Sequence, residues 1–314
     1  MYQMLQGFMH YLFCLDDVRN KILRHLFHKA NCRFFVFAAC PKSASTHLRN
    51  LLKIVCRKNM KIVAPKISDG FGHNFISEAE VLKKLNIRKD LMLYGHIPYN
   101  HHNATVIKKL THTPQVIVSL RPLPDLVISY KEHVDKNKFG PLDYRIAGMS
   151  ECYSGWQSAD DEKKFDYIIN YILPWYIRFI ASWKAASKIW RTDFITFEEH
   201  TLHPADSLSN IVQFLQLVTK TSELEALKNP DNVPQKKFNV GLSGRGLKIL
   251  KQEQVDRIKA LVSLYDDFFA KSNLGKYLLY GYEGLPFEPV NVVRFKAQHS
   301  AEHIDNGVML DNVR

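Results

Sequence analysis

Apolar residues fall along this chain in two patterns, short continuous runs and helical repeats, and the two alternate. The run Phe34-Phe35-Val36-Phe37-Ala38-Ala39 reads as a buried strand, and Leu48, Leu51, Leu52 and Val55 then recur at helical spacing. Leu91-Met92-Leu93-Tyr94 and Val116-Ile117-Val118-Ser119-Leu120 are further strands of the buried type. Pro122 and Pro124 mark the end of the latter, Asp125 offers a helix start, and residues 126–133 read as a helix. Helices are also expected over 78–89, 104–110, 166–188, 201–218 and 253–270, with Trp175, Phe179 and Trp183 in the core. Residues 32–284 thus read as one large α/β domain. Residues 1–31 carry Tyr11, Leu12, Leu15, Val18, Ile22, Leu23 and Leu26 at helical spacing, an N-terminal helical extension that packs on the domain or on a partner subunit. Residues 285–314, with Pro286 and Pro289 and little periodicity, read as a tail or an arm. Residues 135–165 are loop-rich, a pattern common in lids and binding loops.

The stretch Cys40-Pro41-Lys42-Ser43-Ala44-Ser45-Thr46-His47, between the first strand and its helix, is built for an anion. A helix start presents unpaired N–H groups and the positive end of the helix dipole. Lys42 adds a full charge, and Ser43, Ser45 and Thr46 add hydroxyl donors. The loop is not a Walker loop, because no glycine lies between Phe34 and His47, and its lysine precedes the hydroxyls. That order suits a phosphate-like group bound without metal better than magnesium-ATP. Arg121 stands at the end of another strand, and Ser129 follows early in the next helix. In an open α/β sheet that edge is where ligands bind, and a guanidinium can hold a phosphate through two parallel hydrogen bonds.

Together these segments resemble the sulfotransferases that use 3'-phosphoadenosine 5'-phosphosulfate (PAPS), with the resemblance leaning toward soluble bacterial and cyanobacterial members. Pro41-Lys42-Ser43-Ala44-Ser45-Thr46 resembles the family's P-K-[ST]-G-[ST]-T-W motif for the 5'-phosphosulfate. Arg121-Pro122-x-x-Asp125-Leu126-x-x-Ser129 resembles R-N-P-x-D-x-x-x-S, whose Arg and Ser bind the 3'-phosphate and are eight positions apart, as here. Gly95-His96-Ile97-Pro98 resembles the segment bearing the catalytic histidine. Phe194-Ile195-Thr196-Phe197-Glu198-Glu199 resembles a later strand ending in Y-E-[DE], and Phe238 to Gly246 resembles the C-terminal R-K-G-x-x-G-D-W loop. The matches run in family order over roughly residues 33–270. The resemblance implies a three-layer, P-loop-like fold with a central parallel sheet flanked by helices. It also implies PAPS as donor, its product 3'-phosphoadenosine 5'-phosphate (PAP), and no metal. His96 becomes the general base. Lys42 stabilises the leaving oxygen; with Ser43, Ala44, Ser45 and Thr46 it forms the 5' site, and His47 follows in the place of an adenine contact. Arg121, Ser129, Phe197, Gly244, Arg245 and Gly246 serve the rest of the nucleotide.

The sequence departs from the pattern at several of these positions. Ala44 stands for a glycine and is less free to take a positive φ. His47 stands for the tryptophan that contacts adenine, and Phe197 for a tyrosine near the base. Asn239 and Val240 stand for the Arg-Lys pair of the 3'-phosphate clamp, with Arg245 the favoured substitute over Lys236 and Lys237.

Composition narrows the classes. A net charge of +12 over 314 residues favours anionic ligands, a nucleotide sulfate donor among them. Nucleic acid is not expected, because no RNP motif, zinc spacing or aromatic-interleaved basic stripe occurs. Cys14, Cys32, Cys40, Cys56 and Cys152 form no C-x-x-C pair and read as reduced thiols of a cytoplasmic protein. The apolar patches near Phe8 are too short to span a bilayer. A P-loop kinase would need a glycine-rich loop and a magnesium-binding acid after a strand. A nucleotide-binding protein without catalysis stays in play through the departures at His47 and Asn239-Val240. The acceptor is expected to be a small molecule, such as a natural-product alcohol, phenol or amine, with a carbohydrate second. It would be reached near the 69–74 loop and by Tyr144, Tyr153 or Trp156, which otherwise fill core. A cationic acceptor would need acids such as Asp69, Glu78 or Asp160. A homodimer is also conceivable.

Overall fold

Five short strands run parallel: β1 (Phe34–Ala39), β2 (Met60–Val63), β3 (Asp90–Gly95), β4 (Gln115–Leu120) and β5 (Arg191–Thr196). Their order across the sheet is β2-β3-β1-β4-β5. The computed structural model describes residues 32–56, 59–64, 75–84, 89–137, 155–219, 221–226, 243–269 and 273–281, and Val18, Lys21, Ile22 and His25. The expectations for the 1–31 extension otherwise, the 69–74 loop, Tyr144, Tyr153, Asn239-Val240 and the 285–314 tail lie outside the described residues.

Alternation within β1 sorts its side chains to two cores, as a pleat requires. Phe35, Phe37 and Ala39 pack with Leu48, Leu51 and Leu52 of α1 (Ser45–Val55), and with Leu208 and Ile211 of a later helix over 204–214. Phe34, Val36 and Ala38 belong to the larger core on the opposite face. That core holds Val81 of α2 (Glu78–Leu82), Ile107 of α3 (His101–Leu110), Leu126 and Ile128, and Trp183 and Phe179. Two helical layers thus enclose one parallel sheet, which is the expected three-layer α/β arrangement.

Several elements depart from their sequence patterns for local reasons. The helix after β4, here α4, runs Leu123–Asn137 and starts before Asp125, since Pro124 fits a first turn where no N–H is needed. The expected strand through Glu199 stops at Thr196. There the Thr196 hydroxyl and the Glu199 carboxylate close a reciprocal capping box and start a helix, Phe197–Leu202. The helix expected over 201–218 is two helices, parted at His203-Pro204. The helix over 166–188 begins earlier, at Asp161, capped by Asp160, and opens into a π turn at Ile168–Ile172 just before Pro174. A π turn relieves the hydrogen bond that proline cannot donate. Trp156 is buried and donates its indole N–H to Asp135 at 2.9 Å, so it fills core. Glu78 pairs with Lys109 at 2.7 Å.

Candidate active site

The strand register brings the chemistry-bearing segments to one edge. Ala39, the last residue of β1, is level with Ser119 of β4, and Ala38 is level with Gly95 of β3, so His96 emerges directly beside Ala39. Leu120 is level with Thr196, so Arg121 and Phe197 leave the sheet together.

The loop between β1 and α1 alternates backbone hands. Lys42 has φ 63° and Ala44 has φ 55°, with Ser43 between them on the ordinary side. Alternation of this kind turns successive N–H groups toward a common point and makes an anion-binding hollow. Ala44 therefore does take the conformation its β-carbon disfavours, at a cost on the order of 1 kcal/mol. The loop holds this shape from beneath. The buried Ser43 hydroxyl donates to the Cys40 carbonyl at 2.5 Å and lies 2.6 Å from the Ser119 hydroxyl. Its proton thus serves the loop itself, and its backbone N–H also bonds to Cys40. Ser45 reaches the Tyr94 hydroxyl at 3.3 Å, and Thr46 is exposed.

Arg121 ties the two halves of the site together. It is only 7% exposed, donates from Nη1 to the Lys42 carbonyl at 3.0 Å, and lies over the Phe197 ring with 4.3 Å to the centroid. Its Nε is buried without a hydrogen-bond partner among the described residues. A guanidinium fixed by a ring face and a carbonyl, with a donor still unmet, suits a bound oxyanion. Phe197 thereby acts on Arg121, a role its place in the sequence did not suggest. Lys42 is half-buried, and burial pushes its pKa down to about 8; Arg121 and Lys136 add to the fall and Glu132 opposes it.

His96 donates from Nδ1 to the Ala39 carbonyl at 2.6 Å, since a carbonyl can only accept. That bond places the lone pair of the neutral ring on Nε2, the arrangement a general base needs. His47 is buried and stacks on His200 with ring centroids 6.4 Å apart. His200 is fully buried, donates from Nδ1 to the Thr196 carbonyl, and is held down to about 4 by burial foremost, with His47 adding to it. His133 on α4 is also held to about 4, by burial first and then by the charge of Lys42.

The 243–246 loop closes the far side. Asp125 does not cap its own helix; its carboxylate accepts from Gly244 N at 2.7 Å and Gly246 N at 2.6 Å, and lies 3.1 Å from the Ser243 hydroxyl. Ser243 also bonds Glu198, which accepts from Tyr277 at 2.7 Å. Gly244 takes φ 79°. A β-carbon on Gly246 would lie 2.1 Å from the Pro124 carbonyl carbon, so this glycine is needed for loop-on-helix packing. Arg245 pairs with Glu132 of α4. Ser129 is buried on the same helix, on the face shared by Asp125 and Glu132.

No protein-family model matches the chain, and no curated protein matches it. Solved structures do. A mouse sulfotransferase crystallised with PAP superposes with a TM-score of 0.56 at 17% identity, covering 79% of this chain and 87% of that one. The chain has the sulfotransferase fold. Retinol dehydratase, crystallised with androsterone and inactive cofactor PAP, shares it with a TM-score of 0.51 at 11% identity, over 74% of this chain and 80% of that one. Lys42, His96, Arg121 and Phe197 leave the sheet at one edge, and Arg245 stands across from them on Glu132. Asp125 as loop anchor, Glu132, His133 and His200 were missed. Glu132 had a readable signal, three residues beyond Ser129 in a helical repeat; His200 had none.

Proposed function

We propose that this chain is a sulfotransferase that moves a sulfuryl group from PAPS to a hydroxyl or amine of a small-molecule acceptor. The observation that carries this reading is Arg121, a buried guanidinium that holds the Lys42 loop and keeps an unmet donor at the sheet edge. The likeness in fold to PAP-bound sulfotransferases supports it. PAPS would lie with its 5' end in the Lys42–Thr46 hollow and its 3'-phosphate against Arg121 and Ser129. The acceptor O–H or N–H would face His96 Nε2. As the new bond to sulfur forms, the bond from sulfur to the 5'-phosphate oxygen breaks and its electron pair stays on that oxygen, opposite Lys42. The acceptor proton passes to Nε2 and then to solvent. Such a reaction depends on positioning and charge stabilisation. Cys40 is a buried thiol, in keeping with a reducing compartment such as the cytoplasm. Among the described residues no helix is long and apolar enough to cross a membrane, and no cluster of three or more His, Cys, Asp or Glu could hold a metal.

Calorimetric titration with PAP, against ADP and without magnesium, tests the donor. PAP should bind in preference, and Arg121→Ala should weaken it about 10- to 100-fold, the worth of a charged hydrogen-bond pair. Equal binding of ADP would overturn the reading. A second reading, a nucleotide-binding protein without catalysis, draws support from Arg245 being already paired with Glu132. Loss of sulfuryl transfer in His96→Ala with PAP affinity retained would decide for the enzyme.

A further inference from the structure

The site that should attract phosphates contains an acid of its own. On α4, Asp125, Ser129, Glu132 and Lys136 recur at intervals of four, three and four, which places them along one helix face. Asp125 is buried and committed to the 243–246 loop through its three close donors. Glu132 is different. Its side chain is half-buried, one turn beyond Ser129, and it faces the Arg245 guanidinium, with Nη2 on Oε1 and Nη1 3.4 Å from Oε2. Its charge also reaches Lys42, whose ammonium it stabilises against Arg121 and Lys136. Arg245 in turn lies within electrostatic reach of Arg121. The Glu132 carboxylate is therefore paired with Arg245 and within electrostatic reach of Lys42, on the helix face that carries the hydroxyl expected to meet the donor's 3'-phosphate.

We propose that Glu132 is an internal anion: it occupies Arg245 until the nucleotide binds, and the 3'-phosphate of the nucleotide must displace it. The proposal rests on the sulfotransferase reading and deepens it. Two anions cannot share one guanidinium fork without repulsion, so a phosphate lodged between Arg121, Ser129 and Arg245 has to push the Glu132 carboxylate out. The pair is open enough to solvent for that exchange, with about a quarter of each side chain exposed. In the meantime it neutralises Arg245. The site is then closed to ligands whose phosphate cannot reach the α4 face, and admits one whose phosphate can.

The test is calorimetric titration of the full chain, wild type and Glu132→Gln, with PAP and with adenosine 5'-monophosphate, which lacks the 3'-phosphate. Glu132→Gln should bind PAP about 2- to 5-fold more tightly, the range expected for a partly exposed ion pair, and should leave the monophosphate unchanged. Glu132→Ala should do the same, and thermal melting would verify that both variants fold. Arg245→Ala placed on Glu132→Gln should abolish the gain. A wild type that prefers PAP while both Glu132 variants bind it no better overturns the proposal and leaves the nucleotide site standing. If neither wild type nor variants distinguish PAP from the monophosphate, the nucleotide reading itself falls, and the proposal with it.

Discussion

Lys42 is the residue whose protonation matters most. Burial and its cationic neighbours bring its pKa down to about 8, so it is charged at neutral pH and loses its proton on mild alkalinisation. A bound phosphate favours the charged form, so binding should be proton-linked. PAP affinity is expected to fall as pH rises through about 8, and Lys42→Met should bind weakly with no such dependence; titrations at several pH values across that range check it. The residues that could be read from the sequence alone were those whose chemistry is local: a lysine in a strand–helix loop, an arginine at a strand end, a histidine following another strand. Ser43 was legible as a loop hydroxyl, but its inward bond to Cys40 and its approach to Ser119 depend on a strand 76 residues away. His200 lies under His47 for the same reason, since neither residue's neighbours in sequence point to the other.

At the scale of elements, the contact between the 243–246 loop and the start of α4 governs the far half of the site. Gly246 passes so close to Pro124 and Asp125 that a methyl group has no room. Gly246→Ala should push the loop off Asp125 and destabilise the fold by about 2–4 kcal/mol, read as a shift of the denaturation midpoint with urea. Strands β1, β3 and β4 were legible as apolar runs, because a parallel strand covered on both faces needs nothing else. Helix limits were less so. The single periodic stretch over 166–188 conceals a π turn that follows from Pro174, and the stretch over 201–218 conceals a break at His203-Pro204.

For the molecule as a whole, the net charge of +12 acts at a distance before any contact forms. The association rate constant for PAP should fall steeply with added salt while the dissociation rate changes little; stopped-flow binding over a series of ionic strengths would show it. The strand order β2-β3-β1-β4-β5 has a consequence of its own. Every ladder among the described residues is parallel, so no two of these paired strands can meet through a tight hairpin, and each must wait for a crossover to close. The bond from Arg121 to the Lys42 carbonyl spans 79 residues and can form only after β4 has docked on β1. The anion hollow is thus fastened to Arg121 only once the β1–β4 ladder exists. A ligand that grips it distinguishes finished molecules from collapsed intermediates, and its signal after dilution from denaturant would time the completion of the chain.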